Sequence, residues 1–159
     1  PPISTLFPYT TLFRSEALLR SPSSKNINPW EFIFVETREV IMELKKCKPY
    51  ATTPLETAPL AVVICADENK NDVWIEDCSI ATILLQLTAQ SLELGSCWIQ
   101  IRQRLHSETK TSEKYIQQLL GIPANYKVLS IVTVGYPKTV REGKLYDELQ
   151  GDKIHKNRF

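Results

Sequence analysis

A chain of 159 residues, 43% of them apolar, is long enough to bury one hydrophobic core and too apolar for disorder to be its default. Nineteen Lys and Arg against eighteen Asp and Glu leave a formal charge of +1, which supplies no field to draw in nucleic acid or an anionic membrane. Four widely spaced cysteines, Cys47, Cys65, Cys78 and Cys97, make neither a metal knuckle nor a redox pair, and no apolar stretch reaches the roughly 20 residues of a bilayer span, so a reduced, cytoplasmic protein with buried thiols is expected.

Residues 1–15, PPISTLFPYTTLFRS, hold three prolines and two Thr-Leu-Phe triplets and follow neither a helical nor a strand period. They resemble the translation of a sequencing adaptor. The expected organisation is therefore a foreign segment at 1–15 and a single domain at 16–159 that lacks its own beginning. Glu16 to Arg20 are good helix formers stopped by Ser21-Pro22, too few to hold a helix alone, and read as the tail of a longer one.

Trp30 to Glu36 has strand composition, Glu39 to Lys46 predicts a short amphipathic helix, and Pro49 to Pro59 a loop. Leu60 to Ala66 (LAVVICA) is too short for a buried helix and rich in β-branched residues, which predicts an interior strand. From Val73 to Leu94 apolar residues recur every three or four positions, and Ile80, Ile83, Leu84 and Leu87 widen the apolar sector over most of the surface. Such a helix is buried on more than one side, in its own domain or against a second subunit. Asp72 is its expected N-cap and Gly95 its expected left-handed C-terminal residue. Ser96 to Ile101 predicts a third strand, Thr111 to Leu120 a helix closed by Gly121 and Pro123, and Lys127 to Val134 a fourth strand ended by Gly135-Tyr136-Pro137. The remainder is polar and irregular. Four strands alternating with helices suggest a layered α and β domain, without the glycine loops of a dinucleotide or P-loop site.

Two segments carry candidate chemistry. Pro22-Ser23-Ser24-Lys25-Asn26-Ile27-Asn28-Pro29-Trp30 places hydroxyls, an ammonium and amides between a broken helix and a strand, with both prolines restricting the backbone. Taken alone it reads at least as well as an ordinary solvent loop. Leu94-Gly95-Ser96-Cys97-Trp98 could offer backbone N–H groups to a flat heteroaromatic ring, or be a helix end running into a core strand. Glu76 and Asp77 suit the start of a helix better than a general-acid role. His106 and His155 have no partners at metal-ligand spacing, although the cluster Lys153-Ile154-His155-Lys156 with Arg158 could meet a phosphate. No nucleophile-base pair is visible.

Taken in order, these blocks resemble the nitroreductase family of flavoproteins in its short-chain form. Pro22-Ser23-Ser24-x-Asn26-x-Asn28-Pro29-Trp30-x-Phe32 is similar to its P-S-S-x-N-x-Q-P-W-x-F signature. Leu60 to Asp67 is similar to its core strand, Trp74 to Trp98 to its long dimer helix ending in G-L-G-S-C-W-I, and Leu120-Gly121-Ile122-Pro123 and Val134-Gly135-Tyr136-Pro137 to its L-G-I-P and x-G-Y-P blocks.

The resemblance implies an α+β, three-layer fold with a mixed, mostly antiparallel central sheet flanked by helices, in a homodimer with flavin sites at the subunit interface. It implies FMN as cofactor and a ping-pong reaction in which NAD(P)H delivers a hydride to flavin N5 and a nitroaromatic or quinone then takes it, with no protein group as catalyst. The flavin residues implied are Pro22, Ser23, Ser24, Asn26 and Asn28, the Gly95-Ser96 backbone, and Lys153 in the tail for the phosphate. A dehalogenase-type flavoenzyme and a non-catalytic flavin-binding or scaffold protein are the other readings. Asn28 stands where the family has Gln. The family's basic opening segment, whose arginine holds the phosphate, is matched only by Arg14 in the foreign stretch. Losing such a charge-assisted contact costs about 1.5 to 3 kcal/mol, roughly ten- to 150-fold in affinity, so weak FMN binding is expected.

Overall fold

The structure, a computed structural model, describes residues 15–140 and 142–159. The foreign-looking stretch, Arg14 included, lies outside them except for Ser15.

Residues 15–19 form a helical turn, α1, whose Leu18 is fully buried, and Pro22 follows its end. The regular elements that follow are β1 (Trp30–Val35), α2 (Arg38–Lys45), β2 (Leu60–Asp67), α3 (Trp74–Ser91), β3 (Gly95–Gln100), α4 (Ser112–Leu120) and β4 (Tyr126–Gly135). Every predicted strand and helix is present. The predicted loop at 49–59 contains a 3-10 turn, Thr53–Glu56, and the tail two more.

The strands lie in the order β1-β2-β4-β3. All three pairings among the described residues are antiparallel, consistent with the mostly antiparallel sheet that the family resemblance implied. β2 is buried on both faces because the sheet is the middle of three layers. Leu60, Val62, Ile64 and Ala66 pack toward α3 with Cys78, Ala81, Leu85 and Ala89. Ala61, Val63 and Cys65 pack on the other face with Ile41 and Leu44 of α2 and Ile116 of α4. The period-two alternation of a strand thus serves two cores at once.

The chain direction gathers the important ends. β2 runs up to Asp67, α3 returns from Trp74, β3 runs up again from Gly95, and β1 and β4 descend from Trp30 and Tyr126. The start of α3 therefore shares one end of the sheet with the entry to β1 and the exit of β3. A register shift between Ile64 and Cys65 bulges β4 at this end, and the Leu129 carbonyl there accepts from both Ile101 N–H (3.2 Å) and Arg102 N–H (3.0 Å).

Two predicted helix ends are corrected. Val73, not Asp72, is the N-cap of α3. At the other end the left-handed residue is Glu93 (φ 58°), and Gly95 already belongs to β3. Leu94 is an apolar residue that the core takes up at 6% exposure, which forces the chain to turn one residue before it.

Candidate functional site

Between α1 and β1 the loop of Pro22 to Pro29 makes one 3-10 turn, Ser24–Asn26, and then carries the chain into β1. Lys25, Asn26 and Asn28 all have positive φ, at 52°, 55° and 52°. Asn tolerates that region because its short amide can bond locally, which gives a reason for Asn28 where a longer glutamine stands in the signature. Its side chain closes the loop, with Ser23 Oγ donating to Asn28 Oδ1 at 2.7 Å and Asn28 N–H donating back to Ser23 Oγ at 2.9 Å.

The loop is also held from outside. Ser24 N–H donates to Asp77 Oδ1 at 2.8 Å, and Asn71 Nδ2 donates to Asp77 Oδ2 at 2.7 Å. Asp77 is 2% exposed. It is neither a general acid in solvent nor a simple end-charge, but an acceptor for a loop 53 residues earlier in the chain. The backbone N–H groups of Asn26 and Ile27 are bonded to Ser23 and Ser24 carbonyls. Among the described residues the loop side-chain groups without a hydrogen-bond partner include the Ser24 hydroxyl, the Lys25 ammonium, the amide of Asn26 and Nδ2 of Asn28. A hydroxyl, a cation and an amide on a fixed backbone are the donor set that a phosphorylated polyol needs.

Around the first turn of α3 opens a cleft of ≈ 440 Å³ lined by Trp74, Arg102, Arg104, Glu68, Glu113 and Lys127, among others. Lys127 is shared between Glu68 (3.4 Å) and Glu113 (3.8 Å). Arg102 and Arg104 have no carboxylate partner among the described residues, and Gln103 between them is left-handed (φ 58°). No sequence expectation falls on Arg102 or Arg104. The Arg-Gln-Arg run directly after a strand was the signal available.

Gly95 and Ser96 lie elsewhere. Gly95 pairs with Gly135 at the end of the sheet where β2 begins, whereas the loop enters β1 opposite Ala66, where β2 finishes. The strand between spans roughly 20 Å. Within one chain the structure therefore does not bring Gly95 and Ser96 to the loop, because β3 runs from one end of the sheet to the other. Gly95 has a packing reason instead, since a Cβ there would meet Pro137 Cβ at 3.3 Å. Ser96 Oγ accepts from Gln86 Nε2 at 3.3 Å. Both line a separate hollow of ≈ 850 Å³ with Glu93, Tyr136 and Val140. Lys153 sits in an exposed 3-10 turn of the tail, with no ion pair among the described residues.

All four cysteines are unpaired, and three are buried. His106 stacks on Tyr115 and bonds through Nδ1 to the Lys46 carbonyl at 2.8 Å, a surface tie between helices. Among the described residues no helix is long and apolar enough to cross a membrane.

The family model described as the nitroreductase family matches residues 46–136. A protein from Archaeoglobus fulgidus named NADH dehydrogenase/NAD(P)H nitroreductase is 34% identical over 149 residues, 91% of this chain and 82% of that one. A solved structure of an FMN-dependent nitroreductase from Clostridium difficile superposes with a TM-score of 0.93 at 40% identity, covering 96% of this chain and 88% of the other. One named as an NADH oxidase, from Clostridium acetobutylicum, gives 0.83 at 31% identity over 96% and 89%. A family model matching more than half of the chain, residues 46–136, together with a relative 34% identical over 91% of the chain, shows that this chain belongs to the nitroreductase family of oxidoreductases.

Proposed function

We propose that the chain is an FMN-dependent NAD(P)H oxidoreductase that reduces a small oxidised acceptor, a nitroaromatic or quinone, in two alternating half-reactions, and that it works as a homodimer. The observation that carries this reading is the Ser23–Asn28 loop: a polar segment held within itself and by Asp77, on which the Ser24 hydroxyl, Lys25 ammonium and Asn26 amide have no partner among the described residues. The likeness to an FMN-dependent nitroreductase from Clostridium difficile supports it.

Bound FMN supplies two-electron transfer at its N5. The chain supplies position. Ser24, Lys25 and Asn26 hold the polyol and phosphate portion, while Ser23 and Asn28 keep the loop closed under Pro22. Lys153 adds a cation from the tail, and the Trp74–Arg102 cleft offers an apolar wall with positive charge beside it for an anionic or electron-poor partner. Gly95 and Ser96 can share a site with a loop only if that loop belongs to a second copy, since their own is at the far end of the sheet.

The dimer has its own support. Ile80, Ile83 and Leu87 of α3 are 40%, 49% and 57% exposed, on the side away from the sheet, and the tail leaves Leu145, Tyr146, Ile154 and Phe159 uncovered. So much apolar surface in one chain is what a second subunit covers. The unpaired buried thiols fit a reducing cytoplasm.

The test is titration of the purified protein with FMN, followed by anaerobic NADH. Saturable binding and bleaching of the flavin band are expected, with reoxidation by a quinone. Flavin that binds but never bleaches would overturn the enzymatic reading in favour of a non-catalytic flavoprotein.

A further inference from the structure

Asp77 is the buried acid whose role the reaction leaves open. A carboxylate at 2% exposure loses its hydration and persists only where other donors replace it. Both its oxygens are used, one by Ser24 N–H at 2.8 Å and the other by Asn71 Nδ2 at 2.7 Å. Asn71 is itself 4% exposed, and its Oδ1 accepts from Val73 N–H at 3.5 Å, which ties the pair to the first turn of α3. The helix N-terminus adds to the stability of the charge there.

The loop at the other end of this connection needs holding. Lys25, Asn26 and Asn28 occupy left-handed backbone, and such residues persist only where their surroundings over-determine them. Lys25, Asn26, Ile27 and Asn28 are exposed, so burial in the core does not hold them. The Ser23–Asn28 closure acts within the loop, and Asp77 fixes the loop to the body of the protein.

We propose that Asp77 is a positioning residue for cofactor binding: with Asn71 it latches the Ser23–Asn28 loop onto α3 and so presets the geometry in which Ser24 and Asn26 meet FMN. This rests on the reading of the loop as a flavin site. The gain is pre-organisation, because a loop already ordered gives up less entropy when the ligand arrives.

Asp77→Asn replaces two acceptor oxygens by one and sets an amide NH2 against that of Asn71. The paired exchange of Asn71→Asp with Asp77→Asn returns one acceptor to each donor. Two quantities are read: hydrogen exchange of the Ser24 amide without ligand, and the FMN dissociation constant by fluorescence. Asp77→Asn is expected to raise both about tenfold, the size of one charge-assisted hydrogen bond, and the paired exchange to recover most of each. A merely structural acid would change the unfolding midpoint without a selective effect at Ser24. Should Asp77→Asn fail to fold, Asn71→Ala, which takes the donor from the other carboxylate oxygen and frees the acid to move, is expected to raise both by a smaller factor, and no rise in Ser24 exchange there overturns the latch.

Unchanged Ser24 exchange in Asp77→Asn, or a paired exchange that recovers nothing, overturns the latch. Fast Ser24 exchange with unaltered FMN affinity also overturns the positioning role. If the parent protein shows no saturable FMN binding, the flavin reading fails instead, and the exchange measurement still judges the latch.

Discussion

Glu93 ends α3 in left-handed backbone, with Leu94 N–H bonded to the Ala89 carbonyl at 2.9 Å and Glu93 N–H to the Gln90 carbonyl at 3.0 Å, the pattern of a Schellman cap. α4 ends with a left-handed Gly121 (φ 68°), and there the residue type suits the geometry. Glu93→Gly should therefore stabilise the fold by about 0.5 to 1 kcal/mol, the strain relieved less the added freedom of the unfolded chain, read as a higher urea midpoint. At the same scale, burial pushes the Cys47 thiol from 9.0 up to about 11 and Cys65 up to about 12, and raises Cys78 further. The folded chain keeps these protons after the unfolded chain releases them. The contribution is thus complete below about pH 9 and is lost as pH rises through the folded values, so the urea midpoint should fall steadily between about pH 9 and 11. Replacing Cys47 and Cys65 by Ala should flatten that fall.

β2 was legible as an interior strand because seven successive residues from Leu60 to Ala66 are apolar and buried. The long helix was equally legible from its period, although its limits moved by one to three residues to Trp74–Ser91. Boundaries were less legible because caps answer to neighbours: Asn71 is drawn to Asp77, and Leu94 is drawn into the core. Gly135 shows the same dependence where β4 ends, since a Cβ there would stand 2.8 Å from Cδ of Pro59, a rigid ring at the start of β2. Gly135→Ala should cost about 1 to 3 kcal/mol, measured as a lower Tm with unchanged far-ultraviolet circular dichroism below the transition.

Across the whole molecule, α3 packs one face on the sheet and leaves the opposite one uncovered, where Leu87 is 57% exposed. On the proposed dimer, Leu87→Asp buries an unpaired charge between subunits and should shift the protein to monomer in size-exclusion chromatography, with FMN affinity falling alongside. Helix content should persist, because Leu87 takes no part in the core of its own chain. The sequence by itself determined the kinds and order of the elements and the polar character of the Ser23–Asn28 loop, since these follow from periodicity, turn chemistry and composition within short windows. Only the tertiary structure decided which of the candidate residues meet. It placed Gly95 and Ser96 at the far end of the sheet, brought Arg102 and Trp74 to one cleft, and gave the loop Asp77 as its anchor. Those relations are set by strand direction and by contacts between residues far apart in the chain, which no local pattern encodes.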